Sequence, residues 1–314
     1  MNRDEATATQ LERWITVANV VAPTTLLGAL LFYFGYVSSR AEYAYFGVDV
    51  DTIGLSTQEY IMRSPQPLLV PLLVLPLAGI GFMLADTAIR KRMSPCSADM
   101  ADQVKAAKAF KRASHGSRTS GMVALLAGIV LLFIYSAIRD WPFYGLVTPV
   151  VLASGAGLVA YSSRLHRTRF ATRHTRPAAA PLSPIDRLGS APRATNVLVY
   201  ALMVASTFWA SATIAQWSGL GLAQSEALHL DRLPSVILDT KERLYLRDPG
   251  IKETVLPASQ GQTFHYRYRN LRLLIQGHDL MFLVPNAWSA SDSTLIVPLD
   301  SSVRVQFQFQ NAIP

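Results

Sequence analysis

The stretch Asn196–Trp217, NVLVYALMVASTFWASATIAQW, decides the fold. It carries no Asp, Glu, Lys or Arg, and about 20 apolar residues are enough to cross about 30 Å of hydrocarbon as a helix. Before it, similar apolar runs alternate with basic loops; after it, the chain changes to short alternating segments. The direction of this helix therefore decides on which side of a membrane the last part of the chain lies.

Four earlier stretches have the same character: Trp14–Val37, Pro67–Ile89, Gly121–Ile138 and Gly145–Ser163. Helices are the expected form, because an open chain in lipid can satisfy its backbone N–H and C=O groups only within itself. Composition agrees. Half of the 314 residues are hydrophobic, 16% are charged and the mean hydropathy is +0.24, which is too apolar for an ordinary soluble chain. The net charge of +8 sits in loops that flank the apolar runs and comes with no base-reading motif, so nucleic acid is excluded as a partner. Cys96 is the single cysteine, which rules out an internal disulfide and a cysteine-built zinc site.

Loop charge sets the orientation. Residues 90–118 hold Arg90, Lys91, Arg92, Lys105, Lys108, Lys111, Arg112 and Arg118 against Asp99 and Asp102, and residues 164–193 hold seven arginines against Asp186. Both loops are expected in the cytoplasm. Residues 38–66 are more acidic, with Glu42, Asp49, Asp51 and Glu59 against Arg40 and Arg63. Met1–Arg13 is charged and lacks a cleavage signal, so the first span is expected to stay in the protein. The result is a multi-pass plasma-membrane protein with a cytoplasmic N-terminus and an extracytoplasmic C-terminus. Tyr33, Phe34, Tyr36, Trp141, Phe143, Tyr144 and Trp217 mark the span ends as an aromatic belt.

Several local features qualify this picture. Ser56 and Glu59 form an S-x-x-E capping box at the start of a short helix that Pro65 and Pro67 end. Tyr43, Tyr45, Phe46, Tyr60 and Ile61 are expected on the membrane surface or under the C-terminal domain, as a lid or a partner-binding surface. Pro71 and Pro76 predict a bent or locally broken second span. Asp86 is the one clear ionisable residue inside a span, with Arg90 four residues on to pair with it. Ala153 with Gly157, and Ala201 with Ala205, have the spacing of close helix contacts. Residues 101–113 read as a short basic helix lying on anionic headgroups, and the proline-rich segment within residues 164–193 reads as a tether.

Beyond Trp217 the candidate strands are 235–238, 243–246, 253–256, 263–269, 271–275, 281–284, 294–297 and 303–309. They predict a small all-β sandwich or barrel over residues 235–314, joined by a linker, 218–234, to a five-helix membrane domain, 1–217. In Phe264–Arg269 the rings of Phe264, Tyr266 and Tyr268 alternate with His265, Arg267 and Arg269. The aromatic face is expected in the core and the basic face in solvent, or else set against an acidic envelope polymer. His229, His265 and His278 are scattered, and Asp279 beside His278 has no nucleophile near it in sequence. No catalytic, cofactor or metal residues are assigned, and no enzyme is expected.

Two segments, YFGYVSSRAEYAYFGVDVDTIGLSTQEYIMRS (Tyr33–Ser64) and YRYRNLRLLIQGHDLMFLVPNAW (Tyr266–Trp288), resemble uncharacterised multi-span membrane proteins of high-GC Gram-positive bacteria that carry a C-terminal extracytoplasmic domain. The resemblance implies architecture and transfers no site residue. The functional expectation is a non-enzymatic, membrane-anchored interaction module. Its partners are the lipid bilayer and an envelope component or another membrane protein, with homo-oligomers left open. A transporter or channel subunit built on the kinked second helix is the alternative.

Overall fold

The computed structural model describes residues 3–93, 100–138, 140–173, 193–246, 248–257, 260–289 and 292–308. Its helices are α1 (Arg3–Tyr45), α2 (Val50–Ile53), α3 (Thr57–Arg63), α4 (Pro65–Met93), α5 (Met100–Phe133), α6 (Tyr135–Ile138), α7 (Tyr144–Arg173) and α8 (Arg193–Leu228). A 3-10 turn, Leu230–Arg232, leads into strands β1 (Ser235–Thr240), β2 (Lys252–Val255), β3 (Tyr266–Gln276), β4 (Leu280–Pro285), β5 (Leu295–Pro298) and β6 (Val303–Gln308). Helices followed by a sheet is the expected order. Cys96 and most of the proline-rich tether lie outside the described residues.

Four helices hold segments long and apolar enough to cross a membrane: Pro65–Ile89, His115–Phe133, Tyr144–Ser163 and Asn196–Leu228. The first expected span, residues 14–37, lies within α1, which is continuous through Pro23. Three details differ from expectation. Of the bent or locally broken second span, the break is absent: α4 is one helix through both Pro71 and Pro76, each of which removes one backbone donor while the remaining bonds of the ladder persist. Residues 101–113 are not a separate helix but the opening turns of α5, since no proline separates them from the apolar run. Residues 218–228, expected as linker, continue α8, where Ala223 is fully buried. Trp217 is therefore an interior residue of that helix.

The chain divides into two units, Val70–Ile214 on the one hand and Met1–Leu69 with Ala215–Pro314 on the other. In the first, α5 and α7 are antiparallel and close. A Cβ on Gly121 would meet the Gly155 carbonyl oxygen at 3.0 Å, and one on Gly128 would meet the Leu152 side chain at 2.5 Å. The close-packing positions are thus Gly121, Gly128 and Gly155; at Gly157 a Cβ would make only ordinary contact, with Met203 at 3.8 Å. Thr213 donates to the Gly145 carbonyl at 2.8 Å, and Tyr161 donates to the Asp86 carboxylate at 2.8 Å.

The second unit holds the sheet, which is antiparallel in the order β5-β4-β3-β1-β6, with β2 also paired to β3. Among the described residues it is one sheet, neither a two-layer sandwich nor a closed barrel, because β5 and β6 end the path without pairing. Along the path β5 and β6 run the same way. Parallel neighbours need a long crossover, and only residues 299–302 connect these two. The expected strands 263–269 and 271–275 are one strand, β3, which passes Asn270 at φ +66°. On one edge it pairs β2 before that residue and β4 after it. The expected strand 243–246 is a loop, although Leu244 N–H is held by the Tyr268 hydroxyl at 2.8 Å.

Alternation along β4 shows how the sheet is used. Met281 and Leu283 pack with Val236, Leu238, Tyr268 and Leu271 on one side. Phe282 and Val284 turn to the other side, where Phe282 belongs to a cluster with Tyr43, Val48, Val50, Ile53 and Tyr60 and Val284 to one with Phe46, Ala223 and Leu230. The sheet thus has two buried faces, one against itself and its loops, the other against the ends of α1 and α8 and the short helices α2 and α3.

Candidate functional site

The helical seat of the sheet is built from Glu42–Arg63. Asp49 caps α2, its carboxylate accepting from Asp51 N–H at 3.2 Å, and Gly54 closes it at φ 73°. The Ser56 and Glu59 capping box forms as expected, with Ser56 N–H donating to the Glu59 carboxylate at 2.6 Å and Glu59 N–H donating to Ser56 Oγ at 3.3 Å. These caps fold the loop so that Tyr43, Phe46 and Tyr60 are buried under the sheet while Tyr45 is exposed and Ile61 half-buried. Phe46 packs on Trp288 at 5.2 Å, and its carbonyl accepts from the Thr294 hydroxyl at 2.6 Å. Tyr43, Phe46 and Tyr60 thus lie under the sheet, as a lid would place them, and Tyr45 stays at the surface.

Three close approaches fix the seat. A Cβ on Gly35 would overlap the Tyr60 carbonyl of α3, one on Gly219 the Ser38 carbonyl of α1, and one on Gly277 the Ile53 carbonyl of α2. Beside them lies a buried polar group. Glu42, 7% exposed, is 3.7 Å from the Arg63 guanidinium. That guanidinium donates to the Tyr43 hydroxyl at 2.7 Å and sits over the Tyr43 ring at 5.5 Å. Burial pushes the Glu42 carboxyl up to about 7, with Arg63 opposing the shift and the charge of Glu226 adding to it. Burial likewise raises the Tyr43 hydroxyl. Ser39, 1% exposed, has no hydrogen-bond partner for its hydroxyl.

The strand face that alternates with the core aromatics is not simply solvated. Asp239, fully buried on β1, stands directly between Arg267 of β3 and Arg304 of β6 in the ladders. Arg267 grips it through both oxygens at 2.7 and 2.9 Å, and Arg304 reaches it at 3.1 Å through Nε. The Arg267 fork, then Arg304, holds the Asp239 carboxyl below the usual carboxylate range, against the effect of burial. Tyr268 is fully buried and Tyr266 borders the core as expected. Phe264 instead lies under the Arg304 guanidinium at 5.1 Å. Arg269 and His265 are exposed.

A cavity of about 230 Å³ opens where β5 leads into β6, lined by Leu244, Leu295, Ile296, Val297, Pro298 and Val303, with Thr240, Lys241, Glu242 and Ser302. Next to Leu244, Tyr245 holds φ at +51° and is 73% exposed. A bulky residue in that region of backbone space is strained. The loop is pinned around it: Arg243 sits over the Tyr245 ring at 5.1 Å and pairs with Glu253 at 2.7 Å, while Thr240 donates to the Glu242 carbonyl at 2.6 Å. An apolar hollow flanked by an exposed, strained aromatic and two unpaired strand edges can hold a ligand through contact area and backbone hydrogen bonds.

Elsewhere the structure does not gather the residues that drew attention in the sequence. His229 bonds the Ser225 carbonyl of its own helix at 2.9 Å, and His265 lies 3.3 Å from the Lys241 carbonyl. Among the described residues no three His, Cys, Asp or Glu side chains are grouped to hold a metal ion. The Glu42–Arg63 and Asp239–Arg267–Arg304 groups have no local signature in the sequence, their members being 20 or more residues apart. Period-2 alternation places Asp239 on the same face as Ile237, but nothing local announces that it is buried. No protein-family model, no curated protein and no solved structure matches this chain.

Proposed function

We propose that this chain is a five-span plasma-membrane protein with its N-terminus in the cytoplasm and its sheet outside, acting as a non-enzymatic interaction module. The supporting observation is the helical seat. The sheet is not hung on a flexible linker; its back face packs in two apolar clusters against the ends of α1 and α8. Such a joint suits a protein that presents a fixed recognition surface at the membrane, and the cavity beside Tyr245 is the surface proposed for an envelope component or a second membrane protein. The fifth span is residues 14–37 of α1, and loop charge supports the orientation.

The test is cysteine accessibility in a Cys96→Ser background carrying Ser301→Cys, an exposed position between β5 and β6. A membrane-impermeant maleimide is expected to label intact cells. Labelling that appears only after lysis places the sheet in the cytosol and removes this reading.

A transport role has one observation in its favour, the Asp86–Tyr161 hydrogen bond between two apolar helices, since ionisable groups within spans are costly and mark ion paths. Ion flux in liposomes that disappears in Asp86→Asn supports it. Conductance unchanged from empty liposomes ends it.

A further inference from the structure

We infer that Glu42, Arg63 and Glu226 form a proton-operated latch where α1, α3 and α8 meet, tightening the seat of the sheet when Glu42 is protonated and loosening it when Glu42 is ionised.

One guanidinium pairs with one of two neighbouring carboxylates and acts on the other through its charge alone. Arg63, from α3, is 3.7 Å from Glu42 and is also committed to the Tyr43 hydroxyl at 2.7 Å. The charges acting on Glu42 are Arg63 from α3 and Glu226 from α8, with the Tyr43 hydroxyl beside it on α1. With both glutamates ionised, the group carries one more negative charge than positive; Arg63 keeps 36% of its side chain accessible and Glu226 is half-buried, so the excess bears most on Glu42, which is buried. Ser39, one turn before Glu42, adds a buried hydroxyl that has no hydrogen-bond partner among the described residues.

The helices have no slack to absorb a new repulsion. The backbone of α3 meets α1 at Gly35, and that of α1 meets α8 at Gly219, with no room for a Cβ. Tyr43, which Arg63 holds, is buried 2% exposed in the same apolar cluster as Ile275 and Phe282 of the sheet. Ionising Glu42 sets it against Glu226 across the α1 and α8 contact and draws Arg63 from Tyr43, which links the charge to the docking of the sheet.

The sign follows from linkage. Burial keeps the Glu42 proton up to about 7 in the folded protein, whereas an unfolded glutamate loses it near ~4.3. Between these values the folded state binds more protons, so stability falls as pH rises through that window, and the loss is complete above the folded value. In the proposed orientation the pH sensed is that outside the cell, but the latch itself does not depend on orientation.

Hydrogen exchange on the purified full chain in nanodiscs tests it, following residues 46–63 at pH 5.5, 7 and 8.5 with correction for intrinsic exchange rates. The segment is expected to exchange roughly tenfold faster on the alkaline side, the change that about one pKa unit of coupling produces. Glu42→Gln, which fixes the neutral form, is expected to keep the segment protected at every pH. Glu226→Gln removes the repulsion and is expected to move the transition to lower pH, which gives a second readout should Glu42→Gln fold poorly. A flat wild-type profile, a transition that survives unchanged in Glu42→Gln, or a midpoint unmoved in Glu226→Gln each overturns the proposal.

Discussion

At the scale of single residues, the most consequential side chain in the sheet is Asp239. It is fully buried, and both of its neighbours across the ladder are arginines, Arg267 with about a quarter and Arg304 with about half of its side chain accessible, 23% and 48%. Removing its charge weakens the hydrogen bonds to two guanidinium groups that solvent still reaches. Asp239→Asn is therefore expected to cost about 1.5 to 3 kcal/mol, the range for a hydrogen bond to a charged group, measured by thermal unfolding of the solubilised chain. The pH dependence has the opposite sign to that of Glu42. The Asp239 carboxyl is held low by Arg267 and Arg304, so its contribution is present above the unfolded value of about 3.9 and is lost as pH falls through the lower folded value. Below that point wild type and Asp239→Asn should converge. A gap that persists in acid would mean that shape, not charge, is what Asp239 supplies.

At the scale of elements, how much was legible depends on whether the signal was local. The capping box at α3 could be read directly, because Ser56 and Glu59 are three residues apart and the chemistry lies between them; Ser56→Ala is expected to lose ~1 kcal/mol, the usual value for an N-cap, with fraying of α3 seen by hydrogen exchange. Most strands were legible for the same reason, since alternation is a property of neighbours. Closure of the sheet was not, because it depends on which distant strands pair, and neither the bulge at Asn270 nor the unpaired β5 and β6 is written in a short window. The helix contacts show the same division. Small-residue spacing suggested Ala153 and Gly157, whereas the positions that admit another backbone are set by tertiary geometry at Gly35, Gly219, Gly121 and Gly155. Gly35→Ala and Gly219→Ala, each placing a methyl group on a carbonyl, are expected to lower the melting temperature by several degrees or prevent folding, while Gly28→Ala, with nothing within 4 Å of its Cβ, is expected to be neutral. Equal effects at Gly28 and Gly35 would show that helix propensity, not contact, controls these sites.

At the scale of the whole molecule, the division found in the structure crosses the one suggested by sequence order. The apolar-to-alternating change after Trp217 suggested a membrane domain, a linker and a separable sheet, yet one compact unit joins residues 1–69 to residues 215–314. The reason is that β4 is apolar on both faces: Met281, Phe282, Leu283 and Val284 are all at most 2% exposed, a pattern that belongs to a strand covered on both sides. The cover over Phe282 and Val284 comes from residues 43–60, which lie before α4, and from α8. Burying a side chain the size of Phe or Val is worth about 1.5 to 3 kcal/mol, so uncovering Phe282, Val284 and Ile275 together removes a stabilisation comparable to that of a small domain. Residues 235–308 expressed alone are therefore expected to be insoluble, or soluble with poor amide dispersion in NMR. The same segment preceded by residues 215–234 and supplied with residues 38–64 through a flexible connection is expected to regain dispersed resonances. A well-dispersed spectrum from 235–308 alone would show that the sheet folds without its seat, and that what happens at Glu42 cannot reach it through stability.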